Sequence, residues 1–406
     1  DAILVAAHIA AISEGDFSAS NNATKLSFAT GASEAASEKM SLSSAGLLTI
    51  ADDLVIKTGG TIGGANDTDL LTLTSAVLTV AGEVVGTGFT GTLDGILGSG
   101  APASASVTTL TVNGDITTTT SGTSNFVAGV NAGNSIESGG NYNVVIGDEA
   151  GTAITTGDSN VAIGYAALDA NTTADNNTAV GYAALGANTT GSSNVSIGRN
   201  AMLVNTTGDQ NVALGTSALA ANTEGDQNVA LGINAMIANI DGDNNVAVGA
   251  LSLDANTTAD NNTAVGYGTL TTNTTGASNV AVGKSALGAN TTADSNTAVG
   301  YQSMLANTTG ANNVAVGTSA LDANTTASNN IAIGTSALGA VTTAPSNVAI
   351  GSDAGKLMVT GTGQNVLIGN AVAPNATTIA QSVVIGDNAV GSGVATGAGN
   401  VIIGDN

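Results

Sequence analysis

The strongest constraint on this sequence is a glycine that recurs every 17 residues at the end of a short apolar run. Twelve consecutive steps keep this spacing, and later steps lengthen by at most one residue. Such a period is typical of repeat proteins, in which each unit buries its apolar face only by stacking on its neighbours. The regular series consists of Gly147, Gly164, Gly181, Gly198, Gly215, Gly232, Gly249, Gly266, Gly283, Gly300, Gly317, Gly334 and Gly351.

One repeat unit, residues 160–176, begins with the sequence Asn-Val-Ala-Ile. Its alternation predicts a strand in which Val161 and Ile163 point into the interior while Ala162 points outward. A second apolar segment, containing Leu168 in this unit, is predicted to complete the interior. Because glycine and β-branched residues at this density oppose a helix, we expect each unit to form one coil of an elongated parallel β-solenoid or β-roll.

Coils that stack about 4.8 Å apart place equivalent residues above one another as ladders. The asparagine of each Asn-Thr-Thr turn is predicted to hydrogen-bond along the stack in this way. A thin coil buries little apolar surface per residue, so we expect several chains to associate, with small outward residues such as Ala162 allowing close packing. The predicted ladder comprises Asn171, Asn188, Asn205, Asn222, Asn239, Asn256, Asn273, Asn290, Asn307 and Asn324.

The remainder of the chain has a different pattern, which predicts three parts. Residues 1–50 are interpreted as an N-terminal β fibre segment, residues 51–130 as a β shaft with glycine-rich breaks, and residues 131–406 as the solenoid. Strands such as Val107–Val112 are too short to fold alone, so the shaft is predicted to be intertwined, with each strand pairing with another chain. The first residue is not Met, and we expect the sequence to be a mature or trimmed fragment.

Composition excludes several classes of function. The net charge is −24 with only six basic residues, so binding to nucleic acid or to an anionic membrane is not expected. There is no cysteine for a disulfide, and no apolar run approaches the roughly 20 residues of a membrane-spanning helix. Aromatic residues make up 2% of the chain, which is low for an ordinary globular core.

No combination of residues predicts catalysis or a cofactor. The single histidine, His8, lies in an apolar segment without a partner. Neighbouring carboxylates such as Asp52 and Asp53 would point apart on a strand. Acidic turns, for example at Asp209, leave calcium binding as an alternative, although they lack the Gly-Gly-x-Gly-x-Asp pattern of calcium-binding β-rolls. We therefore expect a protein that is not an enzyme and has no cofactor.

Short motifs resemble known fibre proteins. The segments Lys25–Gly31, Gly46–Ile50 and Leu93–Gly98 resemble shaft segments of phage tail fibres. The Asn-Val-Ala-Ile-Gly-Tyr-Ala-Ala-Leu repeats are similar to distal repeats of such fibres and to the head repeats of trimeric autotransporter adhesins. This resemblance implies a homotrimer on a virion tail or an extracellular surface, and a host-surface glycan or protein as its binding partner.

The residue after each repeat glycine varies, which indicates an outward-facing position. Tyrosines and basic residues concentrate there, and we predict that they form a contact stripe, with an inert solvated face as the alternative. The members of this contact stripe are Tyr165, Tyr182, Arg199, Tyr267, Lys284 and Tyr301.

The predicted function is a structural fibre or adhesin of a phage tail or cell surface that extends toward and binds a host surface. One alternative is a purely structural extracellular filament or sheath. Another is an ice-binding β-solenoid, because threonine ladders suit that role. The two adjacent threonines of each turn, however, cannot both face one flat surface of a regular strand.

Overall fold

The computed structural model of this chain describes residues 7–14, 23–30, 37–46, 48–50, 120–359, 361–391 and 396–405. Within these ranges the secondary structure consists of strands and turns, and no helix is present. The chain divides into two compact units, residues 1–106 and 107–406. Most of the predicted shaft, residues 51–119, lies outside the described residues.

The first unit contains a four-stranded antiparallel sheet. Its strands are β1 (Ala7–Ser13), β2 (Thr24–Thr30), β3 (Ser37–Leu42) and β4 (Leu48–Ile50), and they pair in chain order.

An ion pair joins the two central strands of this sheet. Lys25 Nζ lies 2.7 Å from Glu38 Oε2, and the Ser27 hydroxyl donates a hydrogen bond to the same oxygen at 2.7 Å. The hydrogen bond from Lys25, followed by those from Ser27 and Ser41, lowers the pKa of Glu38 from 4.5 to about 2. This carboxylate is therefore ionised at neutral pH and links β2 to β3.

The second unit is a parallel β-solenoid in which each coil contributes a three-residue strand to one ladder of 17 strands. Equivalent residues of successive strands pair in parallel register, 17 or 18 positions apart. The prediction of one coil per repeat is confirmed, and at about 4.8 Å per step the ladder extends roughly 75 Å.

The strands of the ladder are β5 (Phe126–Ala128), β6 (Val144–Ile146), β7 (Val161–Ile163), β8 (Thr178–Val180), β9 (Val195–Ile197), β10 (Val212–Leu214), β11 (Val229–Leu231), β12 (Val246–Val248), β13 (Thr263–Val265), β14 (Val280–Val282), β15 (Thr297–Val299), β16 (Val314–Val316), β17 (Ile331–Ile333), β18 (Val348–Ile350), β19 (Val366–Ile368), β21 (Val383–Ile385) and β23 (Val401–Ile403). A separate parallel pair consists of β20 (Thr378–Ala380) and β22 (Thr396–Ala398).

The strands face the opposite way from the prediction. Ala162 is fully buried, whereas Val161 and Ile163 are only partly covered, and the strands from β8 to β19 repeat this pattern. The prediction that valine and isoleucine line the interior is therefore wrong. The physical reason is space: Ala167 and Leu168 belong to the same buried cluster as Ala162 and fill the narrow coil, so only a small side chain fits on the strand's inner face in coils that carry such a leucine.

Two columns of asparagine run through the interior. In the predicted column, Asn188 Nδ2 donates to Asn171 Oδ1 at 3.0 Å and to the Gly191 carbonyl at 2.8 Å. A second column, which was not predicted, precedes each strand. There the Asn177 backbone N–H donates to Asn160 Oδ1 at 2.9 Å, and Asn177 Nδ2 donates to the Gly191 carbonyl at 2.9 Å. Buried amides thus bond each coil both internally and to its neighbour.

The buried leucine and methionine column adopts an unusual backbone conformation. Leu219 and Met236 are fully buried, and each has a φ of +53°, in the left-handed region. That conformation costs an L-residue roughly 1–2 kcal/mol. Full burial of such a side chain contributes roughly 1.5–3 kcal/mol, which offsets the backbone cost. The turn after each strand is therefore stable because it carries this side chain into the interior.

The repeat glycine is required by close approach between coils. At Gly249 the φ is +132°, a value that L-residues rarely adopt. A Cβ atom on Gly249 would lie 2.4 Å from the carbonyl oxygen of Gly266 in the next coil. Both the conformation and the missing side chain are therefore needed at this position in every coil.

Replacing a repeat glycine should destabilise the solenoid. We expect Gly249→Ala to lower the free energy of unfolding by about 3 kcal/mol or more, from backbone strain and the clash with Gly266. The control is Gly186→Ala, where the new Cβ would meet its nearest atoms at 3.4 Å and the φ is not left-handed. Equal urea-unfolding midpoints for the two variants would contradict this explanation of the period.

Breaking an asparagine ladder should also be costly. Asn239 Nδ2 donates to Asn222 Oδ1 at 2.9 Å and to the Gly242 carbonyl at 2.9 Å, while Asn239 Oδ1 accepts from Asn256 Nδ2 at 2.7 Å. Since each orphaned buried group costs about 1–3 kcal/mol, Asn239→Leu should reduce the free energy of unfolding by about 3 kcal/mol or more. The matched change Asn134→Leu, on an exposed turn, should have little effect in the same denaturation experiment.

Candidate functional site

An apolar surface runs along the ladder, because the middle residue of each strand faces inward and is alanine or serine from β7 to β18. We call it the strand face and define it as the first and third residues of β6–β19. Leu214 is 47% exposed and Ile333 is 39% exposed, although equivalent side chains in adjacent coils cover part of each. The side chains of the strand face therefore point outward. Large contiguous apolar patches on soluble proteins mark interaction sites.

Three coils place threonine on the strand face, at Thr178, Thr263 and Thr297. Threonine matches valine in shape but carries a hydroxyl, which is unfavourable in a dry core without a partner. Its presence at these positions was a signal in the sequence that the column is not interior. The orientation of the strand could have been predicted from this exchange.

The contact stripe lies immediately after the glycine that ends each strand. All six of its side chains are exposed, the four tyrosines by between 44% and 55%. The stripe divides into two triplets, each on three successive coils. The first triplet is Tyr165, Tyr182 and Arg199, and the second triplet is Tyr267, Lys284 and Tyr301.

Backbone hydrogen bonds fix the register of the second triplet. The Ser285 N–H donates to the Tyr267 carbonyl at 3.0 Å, and the Gln302 N–H donates to the Lys284 carbonyl at 3.1 Å. Tyr267, Lys284 and Tyr301 therefore occupy equivalent positions in consecutive coils. The two tyrosines are separated by two steps, about 10 Å along the stack, with the lysine between them.

The two triplets differ in how their aromatic rings are used. Tyr165 and Tyr182 stack on each other, with ring centroids 5.3 Å apart and an angle of 19° between the planes. A hydrogen bond from Tyr165 to Glu149, together with the charge of Glu149, raises the pKa of Tyr165 above 10.0. Among the described residues, no ring contact involves Tyr267 or Tyr301. The second triplet thus leaves its rings available to a ligand.

The two basic residues of the contact stripe are Arg199 and Lys284. Neither forms an ion pair with a described residue. By contrast, Lys356 Nζ lies 3.0 Å from Asp353 Oδ1. In a chain with 30 acidic residues, these two exposed cations are therefore local positive sites next to tyrosines.

The acidic turns serve the backbone of the solenoid. The Ser192 N–H donates to Asp209 Oδ1 at 2.6 Å, and the Asp209 N–H donates to Asp226 Oδ1 at 2.7 Å. Each carboxylate therefore accepts a hydrogen bond from the preceding coil. Within the described ranges, no cluster of three His, Cys, Asp or Glu residues is arranged to hold a metal ion.

The residues considered for catalysis in the sequence do not belong to the contact stripe. His8 is exposed on β1 and pairs with Ala29, while Asp52 and Asp53 lie outside the described residues. The part of the chain that the structure describes contains no helix long and apolar enough to cross a membrane.

Comparison of the chain with family models, with curated proteins and with solved structures gave no match. The resemblance to phage tail fibres and trimeric autotransporter adhesins therefore depends on the short motifs alone. The strand face and the contact stripe are the two surfaces from which a function can be inferred.

Proposed function

We propose that this chain is the subunit of a homotrimeric fibre or adhesin, on a phage tail or another extracellular surface, that extends toward and binds a host surface. The observation that carries the proposal is the strand face, an apolar surface that follows the ladder from β6 to β19. The coils form a long stack joined by hydrogen bonds, which suits a stiff fibre that extends from a surface. The contact stripe supplies polar and aromatic groups for binding.

Self-association would cover the strand face. A second copy presents an apolar ladder of the same length and the same spacing between coils, so its side chains match along the full surface. Three copies around one axis would direct their strand faces toward that axis, as the resemblance to homotrimeric families implies. The association surface is then formed by valine and isoleucine, in place of the alanines such as Ala162 that the sequence predicted.

Charges on the strand face should separate the chains without unfolding them. Val280 and Val282 are 37% and 36% exposed, so Val280→Asp with Val282→Asp changes little of the interior of the coil. We expect light scattering to give the mass of three chains for the unchanged protein and at least tenfold weaker association for the variant, with an unchanged circular dichroism spectrum. The control, Thr275→Asp, lies on an exposed turn and should remain associated. A single-chain mass for the unchanged protein at micromolar concentration would refute the proposal.

Surface binding should depend on the contact stripe. We expect the fluorescently labelled full chain to bind at least one member of a panel of bacterial and animal cells. Replacing all six stripe residues by serine should reduce that binding at least tenfold, because the rings and cations are removed. In the control variant, Thr173→Ser, Thr190→Ser and Thr207→Ser alter exposed turn positions only. Equal binding by both variants would exclude the contact stripe as the binding surface.

A purely structural filament is a second candidate, which the strand face also favours. Electron microscopy of the purified chain separates the two, since a fibre subunit gives rods of one length and a filament gives continuous polymers.

The ice-binding alternative has less support. The first threonine of each turn donates its hydroxyl to the next coil, as Thr189 Oγ1 does to the Thr206 carbonyl at 3.0 Å.

A further inference from the structure

A shallow depression of about 380 Å³ opens beside the second triplet. Two of its lining residues, Gly268 and Ser285, directly follow Tyr267 and Lys284 in the chain. Other lining residues are Thr271, Thr272, Gly288 and Leu305. The depression therefore adjoins two residues of the second triplet along the chain.

The depression exists because two glycines lack side chains that adjacent coils carry. The position of Gly268 is occupied by Leu251 in the preceding coil, and the position of Gly288 is occupied by Leu305 in the following coil. A Cβ atom on Gly268 would meet no atom within 4 Å. Open space is thus created where these two glycines, which belong to different columns, lie close together.

The depression is lined mainly by apolar atoms, to which two threonines add polar groups, and this combination suits a sugar ring. The Thr271 hydroxyl donates to Asp254 Oδ1 at 2.6 Å, and the Thr272 hydroxyl donates to the Gly288 carbonyl at 2.9 Å. Since the hydrogen atoms of both hydroxyls are engaged, their oxygens are free to accept hydrogen bonds from a ligand.

The exposed groups of the second triplet suit an apolar ring face and a negative charge. Exposed tyrosine rings offer flat apolar surfaces with a polar hydroxyl tip, as Tyr267 and Tyr301 do here. Lys284 is exposed between them and forms no ion pair with a described residue. A sugar ring combines a C–H face with several hydroxyls, and an acidic sugar adds a carboxylate for the ammonium group.

We propose that this depression, with Tyr267, Lys284 and Tyr301, binds a carboxylate-bearing saccharide unit of a surface glycan. The inference deepens the proposed function and depends on it, since it assigns a ligand class to one part of the contact stripe. A nucleic acid is not a suitable ligand, because a single cation contributes little to phosphate binding in a chain of net charge −24. A hydrocarbon ligand would desolvate Lys284 without giving it a partner.

The experiment is calorimetric titration of the full chain with defined probes. The acidic probes are a galacturonate tetramer, a hyaluronan tetrasaccharide and a sialic acid trimer, and the neutral probe in each case is the methyl ester. We expect at least one acidic probe to bind, and its ester to bind at least tenfold more weakly. Lys284→Gln should reduce the affinity for the acidic probe to that for the ester, while Tyr267→Ala and Tyr301→Ala should weaken both.

A variant that fills the depression gives the sharpest test. Gly288→Leu introduces the residue found at the equivalent position of the next coil, and its Cβ would meet Leu305 Cδ1 at 3.3 Å without a left-handed backbone. It should keep the unfolding midpoint and lose at least tenfold in affinity, while the control Tyr142→Ala, at an exposed tyrosine outside the contact stripe, should bind normally. Unchanged binding by Gly288→Leu, or no binding of any acidic probe, would overturn the assignment.

The cell-binding experiment distinguishes failure of this inference from failure of the proposed function. If the six-serine variant loses cell binding while Gly288→Leu retains it, the contact stripe binds the surface elsewhere and the saccharide site is wrong. If the unchanged chain binds no cell and no acidic probe, both proposals fail together.

Discussion

Each coil of the solenoid is bonded to the next by asparagine amides that are buried inside it. These bonds need the same residue at the same position in the adjacent coil, since an amide without a partner costs about 1–3 kcal/mol. The consequence is visible where the predicted column stops. Asn324 Oδ1 is buried without a hydrogen-bond partner, and Val341 occupies the next position of that column. The repeat in the sequence is therefore enforced by hydrogen bonding, and every outward position becomes a column as well.

The sequence was sufficient to predict the coil, the strand within it and one asparagine ladder, because a fixed period and an alternating pattern determine which residues are equivalent. It did not reveal which side of the strand faces inward. Alternation separates Val161 from Ala162 but does not say which of them is buried. The volume of Leu168 decides that question, and its inward position depends on a left-handed turn that the sequence pattern did not indicate. Thr178 carries the same information, because a threonine hydroxyl without a partner is unfavourable in a dry interior.

The reversed strand links folding to association. A coil that buries alanine and displays valine and isoleucine gains less from its own interior than the prediction assumed, because burial contributes roughly 25 cal/mol per Å² of apolar surface. The remaining apolar surface is the strand face, and the proposed trimer would bury it. In such an assembly the single coil can stay thin, since much of the apolar contact is made between chains. Stability of the fibre and its number of chains would then have the same physical origin.

The candidate binding surface follows a different rule from the interior. Positions such as Gly249 and Asn239 have no freedom, because a neighbouring coil contacts or bonds them. The side chain after the repeat glycine instead points outward and is exposed in most coils, as its variability in the sequence predicted. The depression was beyond prediction, because it requires two glycines from different columns to be adjacent in space. If the proposed saccharide site is correct, substitutions at Gly268 and Gly288 change ligand binding while the ladders that build the solenoid remain intact.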